Sequence, residues 1–534
     1  KDDAGEPLML VNILELGTSN GTVTDLDGNY TLTVASNSTL QFSFMGYQSR
    51  DEAVNGRTTI NVTLSEDAEL IDEVVVIGYG TQRKSDLSGA VASIRATDLK
   101  DRSVTNAAAA IQGKVSGIQV LNYSGAPGQG SQIRVRGYSS NSGNIGPLLI
   151  VDGLQVDNIQ YLDPSMIESM EILKDAASAA IYGARAGNGV VLITTKRGSD
   201  KGMGNITYDF KLTHQSLAKK PGVMNREQFI EFKKMQGYDI DSELANNGDD
   251  GKIDTDWASE LFEPSYVKQH SLTFQGGNQQ GRFFMSLNYL NNNGIVVGDK
   301  DVYKRISAQI NADYKIKNWL SIGTNNSIER WETRSVSHMS ETSSVLMAAI
   351  QNDPLTPIYF KDKSEFTQGM TDTYNNLNPE FADLKANGLD GSELIMKAED
   401  GRYYAVSKYV DNDHGSPFIQ LARNNQTQSG VSVRGTAFLD FNPIKDLIFT
   451  SRLGYRISFS NNHNYSDPFY ANPMSKAVEY SLSASANTGL YYQWENFFNY
   501  NKTIGRNTVS AMAGMSFIEN RSDNVNGSAT GKSI

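Results

Sequence analysis

The chain has 534 residues, 39% hydrophobic and 20% charged, enough folded material for two to four domains. Its 48 Lys and Arg stand against 60 Asp and Glu, a net charge of −12, which excludes a general nucleic-acid binder because neutralising phosphates needs clustered, outnumbering cations. No cysteine occurs, so disulfide frameworks, thiolate zinc sites and cysteine nucleophiles are excluded together.

The first residues, "KDDAGEP", lack a basic region followed by an apolar one, so a signal peptide is either absent or already removed, and secretion stays open. Residues 1–66 alternate short β-branched stretches with turn signals and read as a small all-β domain, with Asp27-Gly28 a hairpin signal. Three Lys/Arg against nine Asp/Glu give this stretch a charge of −6. "GTSNG" at 17–21 matches the G-x-S-x-G pattern of a nucleophile elbow, but Thr22, Val23 and Thr24 continue as strand with no helix behind them. A hairpin turn is the better reading, and Ser19 is not a nucleophile.

Between residues 67 and 82 the chain reads "DEVVVIGYG", with four apolar residues, Val74 to Ile77, between acids and a glycine-broken polar stretch. A short β-branched run between domains carries backbone N–H and C=O groups that can join another sheet edge. From the residues alone it also fits the last strand of the small domain or the first strand of the next.

Residues 83–198 mix helix and strand. Ser103 and Thr105 are candidate N-caps of a helix through Ala107–Ala110 that Gly113 stops, and Asp163-Pro164 opens a second short helix. The predicted strands are "SGIQVL", "QIRVRGY", "PLLIVDG" and "GVVLITTK". Twelve Lys/Arg against nine acids make this region +3. Arg134 and Arg136 alternate on "QIRVRG", which places them on one face of a strand. There they either pair with acids of a surrounding wall or the same domain and release on activation, or form a static ion pair.

Past residue 199 come strands of about ten residues with strict alternation. In "NITYDFKLT" Ile206, Tyr208, Phe210 and Leu212 alternate with Thr207, Asp209, Lys211 and Thr213; "RISAQINADYK", "RFFMSLNYL", "VSVRGTAFLDF" and "FTSRLGYRISF" repeat the pattern. Alternation alone fits a soluble sandwich. Long strands, alternately short and very long connections, and a second face carrying Asp209, Lys211, Arg452 and Arg456 favour a membrane barrel whose polar face lines a wet lumen. Residues 335–430 read as an extracellular excursion, and the Tyr and Asn of "TDTYNNLNPEF" and "SNNHNYSDPFYANP" suit sugar recognition or ordinary loops.

Catalytic and metal chemistry find no constellation. The five histidines are scattered, and "NNGDDGKIDTDW" puts Trp257 where a calcium loop needs a bidentate Glu, so a solvated acidic loop is the default and an irregular calcium site the alternative. No P-loop is present, so any energy comes from a partner.

"IRVRGYSS", "PLLIVDG" and "LDPSMIESMEILKDAASAAIYGARAGNGVVLITTKRG" resemble the plug domain of TonB-dependent outer-membrane transporters, and "DEVVVIGYGTQRKSDLSGAV" ahead of them resembles the SusC/RagA branch. Residues 1–66 resemble the carboxypeptidase-regulatory-like β-sandwich of that branch. The resemblance implies a mainly β protein: the sandwich, a linker at 67–82, an α+β plug at 83–198, and from 199 an antiparallel transmembrane β-barrel, here incomplete. Asp72, Glu73, Val74, Val75, Val76 and Ile77 would be the TonB box, a flexible segment donated as a strand to TonB. It further implies an outer-membrane location with the N-terminal domain in the periplasm, TonB with ExbB–ExbD as energy source, a SusD-like surface lipoprotein, outer-membrane lipid around the barrel, no cofactor, and no enzyme activity. The cargo would be an oligosaccharide, or else an oligopeptide; a receptor or signal transducer without transport is the alternative function. The family closes about 22 strands around its plug, whereas about nine candidates follow Gly198, so the native protein is expected to continue beyond Ile534.

Overall fold

The computed structural model describes the chain except residues 3–4, 19, 45–46, 48, 66–73, 78–79, 84–90, 100–103, 138–144, 176–178, 200–201, 337–343, 382–388, 411–414, 506 and 532–534. Two compact units emerge, Lys1–Val91 with Asp175–Tyr182, and Ala92–Lys174 with Gly183–Ile534.

In the first unit, β1 (Asn12–Glu15), β2 (Gly21–Val23), β3 (Thr39–Ser43) and β4 (Arg50–Ala53) form a sheet in the order β2-β1-β3-β4. Ile13, Leu40 and Phe42 fill its core, where Tyr30 meets Phe42 edge to face at 5.5 Å. The facing layer is built by Tyr30, Leu32, Val34, Ile60 and Val62, which pack on this core from outside the named strands. The Asp27-Gly28 turn forms: the Asp25 carboxylate accepts the N–H groups of Asp27 and Asn29 at 3.0 and 2.8 Å, and Gly28 takes φ 74°. "GTSNG" is the β1–β2 connection, with Leu14 opposite Gly21, as expected of a hairpin; Ser19 itself lies outside the described residues. Further along, β5 (Val74–Ile77) pairs antiparallel with β6 (Gly80–Arg83).

The second unit contains a five-stranded sheet built from β7 (Val91–Arg95), β10 (Leu148–Val151), β11 (Leu154–Val156), β12 (Ile167–Leu173) and β13 (Val190–Thr195), in the order β11-β10-β13-β12-β7. A separate hairpin joins β8 (Ile118–Leu121) to β9 (Gln132–Val135). All four predicted strands are present, and β12 comes from "IESMEIL". Ile167, Met170, Ile172, Val191 and Ile193 make the buried center, with Leu162 and Met166 above them. The short helix Ala107–Ala110 is capped by Asn106, whose side chain accepts from Ala109 N at 2.9 Å. Thr105 does not cap it, and Ser103 lies outside the described residues. Asp163 caps Pro164–Met166 as predicted, accepting from Ser165 N at 2.9 Å.

Nine strands follow: β14 (Gly202–Gln215), β15 (Ser265–Gly277), β16 (Gly281–Asn293), β17 (Val302–Lys317), β18 (Leu320–Arg334), β21 (Asn424–Ile444), β22 (Leu447–Ser466), β25 (Tyr480–Ile504) and β26 (Asn507–Gly531), each antiparallel to its predecessor. Two small ribbons lie in the connections: β19 (Tyr359–Phe360) with β20 (Tyr403–Tyr404), and β23 (Phe469–Tyr470) with β24 (Lys476–Ala477). Turns at 278–280, 318–319, 445–446 and at Gly505 mark one end, and the long connections 216–264 and 335–423 mark the other. The strands outrun the expected ten residues, reaching 25 in β25 and β26. "SNNHNY" proves to be the end of β22 rather than loop. Alternation fades where both faces meet water, yet the backbone ladder continues without it.

The two faces of this wall are inverted relative to a soluble protein. Ile206, Phe210, Ile310 and Leu453 are 69%, 52%, 45% and 48% exposed, while Ser271, Asn288, Gln309, Asn311, Thr436 and Gln493 are buried. An apolar band of this extent facing outward marks a lipid surface. The polar face is buried because the five-stranded sheet packs against it, so the expected plug and barrel stretches form one unit rather than two. The chain crosses between them at Gly198, where a Cβ would lie 2.3 Å from the carbonyl oxygens of Gly276 and Phe283; only glycine fits.

Candidate functional site

Of the predicted TonB-box residues, Val74, Val75, Val76 and Ile77 form β5, opposite Arg83, Gln82, Thr81 and Gly80. Asp72 and Glu73 lie outside the described residues. Among the described residues the run is therefore half of a two-stranded ribbon and pairs with neither flanking sheet, so each strand keeps one edge outside the ribbon's ladder. The partner was not legible from sequence because Gly80–Arg83 carries no strand-like apolar pattern.

Arg134 and Arg136 do not share a strand face. Strand β9 ends at Val135, and Arg136 turns to φ 58°, leaving it exposed while Arg134 is buried. Arg134 donates to the Tyr123 hydroxyl, with its guanidinium 5.9 Å from that ring's center.

Apart from Arg452 and Arg456, the residues that join plug to wall were not singled out from sequence. Asp152 and Gly153 form the two-residue turn between β10 and β11, with φ 49° and 84°. This tip is pressed into the wall: a Cβ on Gly153 would lie 2.2 Å from Arg452 Nη1, and its carbonyl accepts from Gln493 Nε2 at 2.6 Å. The Asp152 carboxylate accepts from Thr195 N at 3.0 Å and Thr195 Oγ1 at 2.6 Å. The same hydroxyl oxygen accepts from Gln309 Nε2 and Asn311 Nδ2, each at 2.7 Å. Burial raises the Asp152 pKa, against the Thr195 hydrogen bonds and the Arg197 and Arg452 charges.

A second contact lies beside it. Arg434 Nη2 reaches Glu329 Oε1 at 2.6 Å, both side chains under 10% exposed, and the guanidinium stacks 3.7 Å over the ring of plug residue Tyr161. Arg456 pairs with plug residue Asp157 at 2.8 Å, and Arg452 with Glu495 at 3.8 Å, so both predicted lumen arginines do face inward. Arg197 and Arg282 share Asp313 at 3.3 and 3.0 Å near the plug-to-wall crossing. The seam is thus hydrogen-bonded and ionic, and "VDG" was its legible signal as a turn, though not as a contact.

The long connections fold on their own cores. Of the tyrosines in "TDTYNNLNPEF" and "SNNHNYSDPFYANP", Tyr470 is buried with Phe360, Phe366, Met370, Phe381 and Phe469, so its ring holds the connections together, whereas Tyr374 and Tyr465 are half-buried. The acidic stretch 246–257 is in part the solvated loop expected, with Asp250, Gly251, Lys252 and Asp254 exposed, while other groups in it are tied to the rest of the connection. Arg226 forks onto Asp249, the Asp254 carboxylate accepts Arg226 N at 2.8 Å, and Asp256 caps Trp257–Leu261 while meeting Lys220.

In the connection 294–301, buried Asp301 accepts from Val296 N at 3.2 Å, and burial pushes its pKa up to about 6. A carboxyl raised on folding favours the closed connection most below its unfolded value of about 3.9, and that stability is lost as pH rises through about 6. Hydrogen exchange of 294–301, corrected for intrinsic rates, is expected to slow between pH 7 and pH 4, and Asp301→Asn to abolish that dependence.

Comparison with known proteins follows this geometry. Residues 83–190 match the TonB-dependent Receptor Plug Domain, and residues 1–76 the CarboxypepD_reg-like domain. The chain is 29% identical to the TonB-dependent receptor SusC of Bacteroides thetaiotaomicron, over 96% of its own length and 49% of that protein. It is 30% identical to the TonB-dependent receptor P39 of Formosa agariphila, over 96% of its length and 45% of that protein. It thus spans about half the length of the curated relatives it matches. The structure of the RagAB peptide transporter superposes with a TM-score of 0.67 at 23% identity, covering 84% of this chain and 50% of that one.

Proposed function

This chain belongs to the SusC/RagA family of TonB-dependent outer-membrane transporters, and from that premise we propose that it serves TonB-driven import of an oligosaccharide across the outer membrane. The observation that carries the reading is the plug–wall seam. An apolar plug core faces a wall of amides, hydroxyls and paired charges, and each bond across the seam can be exchanged for water as the plug is drawn aside. A wall rich in neutral Asn, Gln, Ser and Thr suits a neutral, hydroxyl-bearing cargo.

In this reading TonB, energised by ExbB–ExbD, pulls on the segment around β5, and a SusD-like lipoprotein covers the outer mouth. The outermost strands β14 and β26 each have one neighbour in the sheet, and further strands must satisfy those edges before the wall can stand in lipid. An oligopeptide cargo is the second reading, supported by the shared fold with the RagAB peptide transporter.

The test is periplasmic accumulation of labelled oligosaccharide and oligopeptide pools in cells carrying the full-length protein, with and without TonB. TonB-dependent accumulation of the sugar pool supports import of a glycan, and accumulation of the peptide pool alone transfers the reading to peptides. Surface binding with no accumulation of either pool would make the protein a receptor.

A further inference from the structure

Beyond the plug–wall seam, toward the long connections, the ladder sets the inward residues of the wall in rows across the strands. One row runs Trp331, Gly430, Ser460, Asn487 and Asn524 from β18 to β26, and the next runs Thr333, Gln428, Asn462, Ser485 and Asn526. Followed the other way, onto β15 and β16, the same rows are closed: Gln269, Leu290, Val267 and Asn292 are buried, and Arg305 between them on β17 donates to the plug carbonyl of Gln160. On β22 and β25 the rows are open, with Asn462, Ser485 and Asn487 half-buried. Among the described residues no charged side chain stands on this face of β21, β22, β25 or β26 beyond Arg434 and Arg456. Charge is admitted on the outward face of the same sheet, where Arg521 and Asp523 of β26 pair at 3.4 Å. Inward, the amides of Asn487 and Asn524 bond to each other instead. Trp331 is the aromatic residue of the two rows, and its indole lies directly over Gly430, where a Cβ would stand 2.8 Å from the ring.

We propose that these rows bind an uncharged oligosaccharide, with Trp331 as the ring on which one sugar stacks, an inference that rests on the import reading and gives it a site. Asn and Gln amides carry a donor and an acceptor each, and Ser and Thr hydroxyls serve as both, so the rows answer a sugar hydroxyl in either role. An aromatic face beside a few placed polar groups is the usual build of a small-ligand site. The same chemistry sets what is refused. A uronate or sulfated sugar would lay its charge on rows that hold no cation, and an unpaired charge taken from water is costly. The charged termini of a short peptide meet the same obstacle. From β18 to β26 the rows cross four interstrand spacings, about 19 Å, a span for a chain of sugars rather than a single ring.

The experiment uses the full-length protein purified in mild detergent, with binding read on an array of immobilised oligosaccharides of matched length, some uncharged and others bearing uronates or sulfates. Uncharged oligosaccharides are expected to be retained, and Trp331→Ala to weaken their binding about tenfold. Asn462→Asp combined with Asn487→Asp sets charge on the rows without changing side-chain size and is expected to weaken binding comparably. Asn461→Asp, on the outward face of β22, is expected to leave it unchanged. Retention of charged sugars as tightly as uncharged ones, or of no sugar at all, would overturn the proposal, and so would wild-type binding by both inner-face variants. Sugar uptake in cells that both variants leave at the wild-type rate removes this site while the import reading stands. Sugar binding without TonB-dependent uptake removes import while the site stands. Should a variant not assemble, the comparison of charged with uncharged sugars on the wild type decides by itself.

Discussion

Deleting Glu73–Ile77 from the full-length protein is expected to abolish uptake while leaving synthesis, membrane insertion and outside binding of substrate intact. The sequence carries no P-loop, and in the proposed function the energy enters through a strand given to TonB, with Val74–Ile77 the proposed donor. Because β5 is already paired with β6, TonB has two routes: adding to the edge of β5 that β6 leaves open, or displacing β6. Val75→Pro separates this from a structural role, because proline removes one N–H and disfavours strand pairing. Its expected result is loss of uptake with unchanged thermal stability. Wild-type uptake by the deletion variant would refute the assignment. Failure of that variant to assemble would instead make β5 a structural strand.

Arg434→Met is expected to give the largest loss of stability in the plug seam. It strips buried Glu329 of its cation and Tyr161 of the guanidinium above its ring. Breaking a buried pair by removing one partner costs about 3–5 kcal/mol, chiefly because the remaining charge is left uncompensated. Limited proteolysis of the full-length protein in detergent should then cut the plug sooner, and thermal unfolding should begin earlier. Adding Glu329→Gln should restore much of the loss, since a neutral amide tolerates the site better than an orphaned carboxylate. If the double variant is no more stable than the single one, the pair is not what holds this part of the seam.

Much of the plug was legible because its signals are local. "PLLIVDG" and "GVVLITTK" are short apolar runs bounded by turn residues, and they became the parallel pair β10 and β13. Asp163-Pro164 capped as its chemistry dictates. Arg134 and Arg136 show the limit of such reading. Their spacing assumed an unbroken strand, and a positive φ at Arg136 ended it. The helix at 107–110 took Asn106 rather than Thr105 as its cap, a choice between adjacent residues that propensity does not separate.

The alternation of Ile206, Tyr208, Phe210 and Leu212 with polar neighbours determined by itself that a two-faced antiparallel sheet would form, because side chains on a strand point to opposite faces. It could not say which face would be buried. Only the tertiary structure decided that, by packing the plug against the polar side and leaving the apolar side exposed. The same holds for Asp152, Thr195, Gln309 and Asn311, dispersed along the chain and joined in one hydrogen-bonded group. A turn residue, the end of a strand and two wall amides carry no shared local pattern, and their meeting depends on how the plug is seated. The chain's local preferences fixed the strands and turns; long-range packing fixed which side faces lipid and where the plug is held.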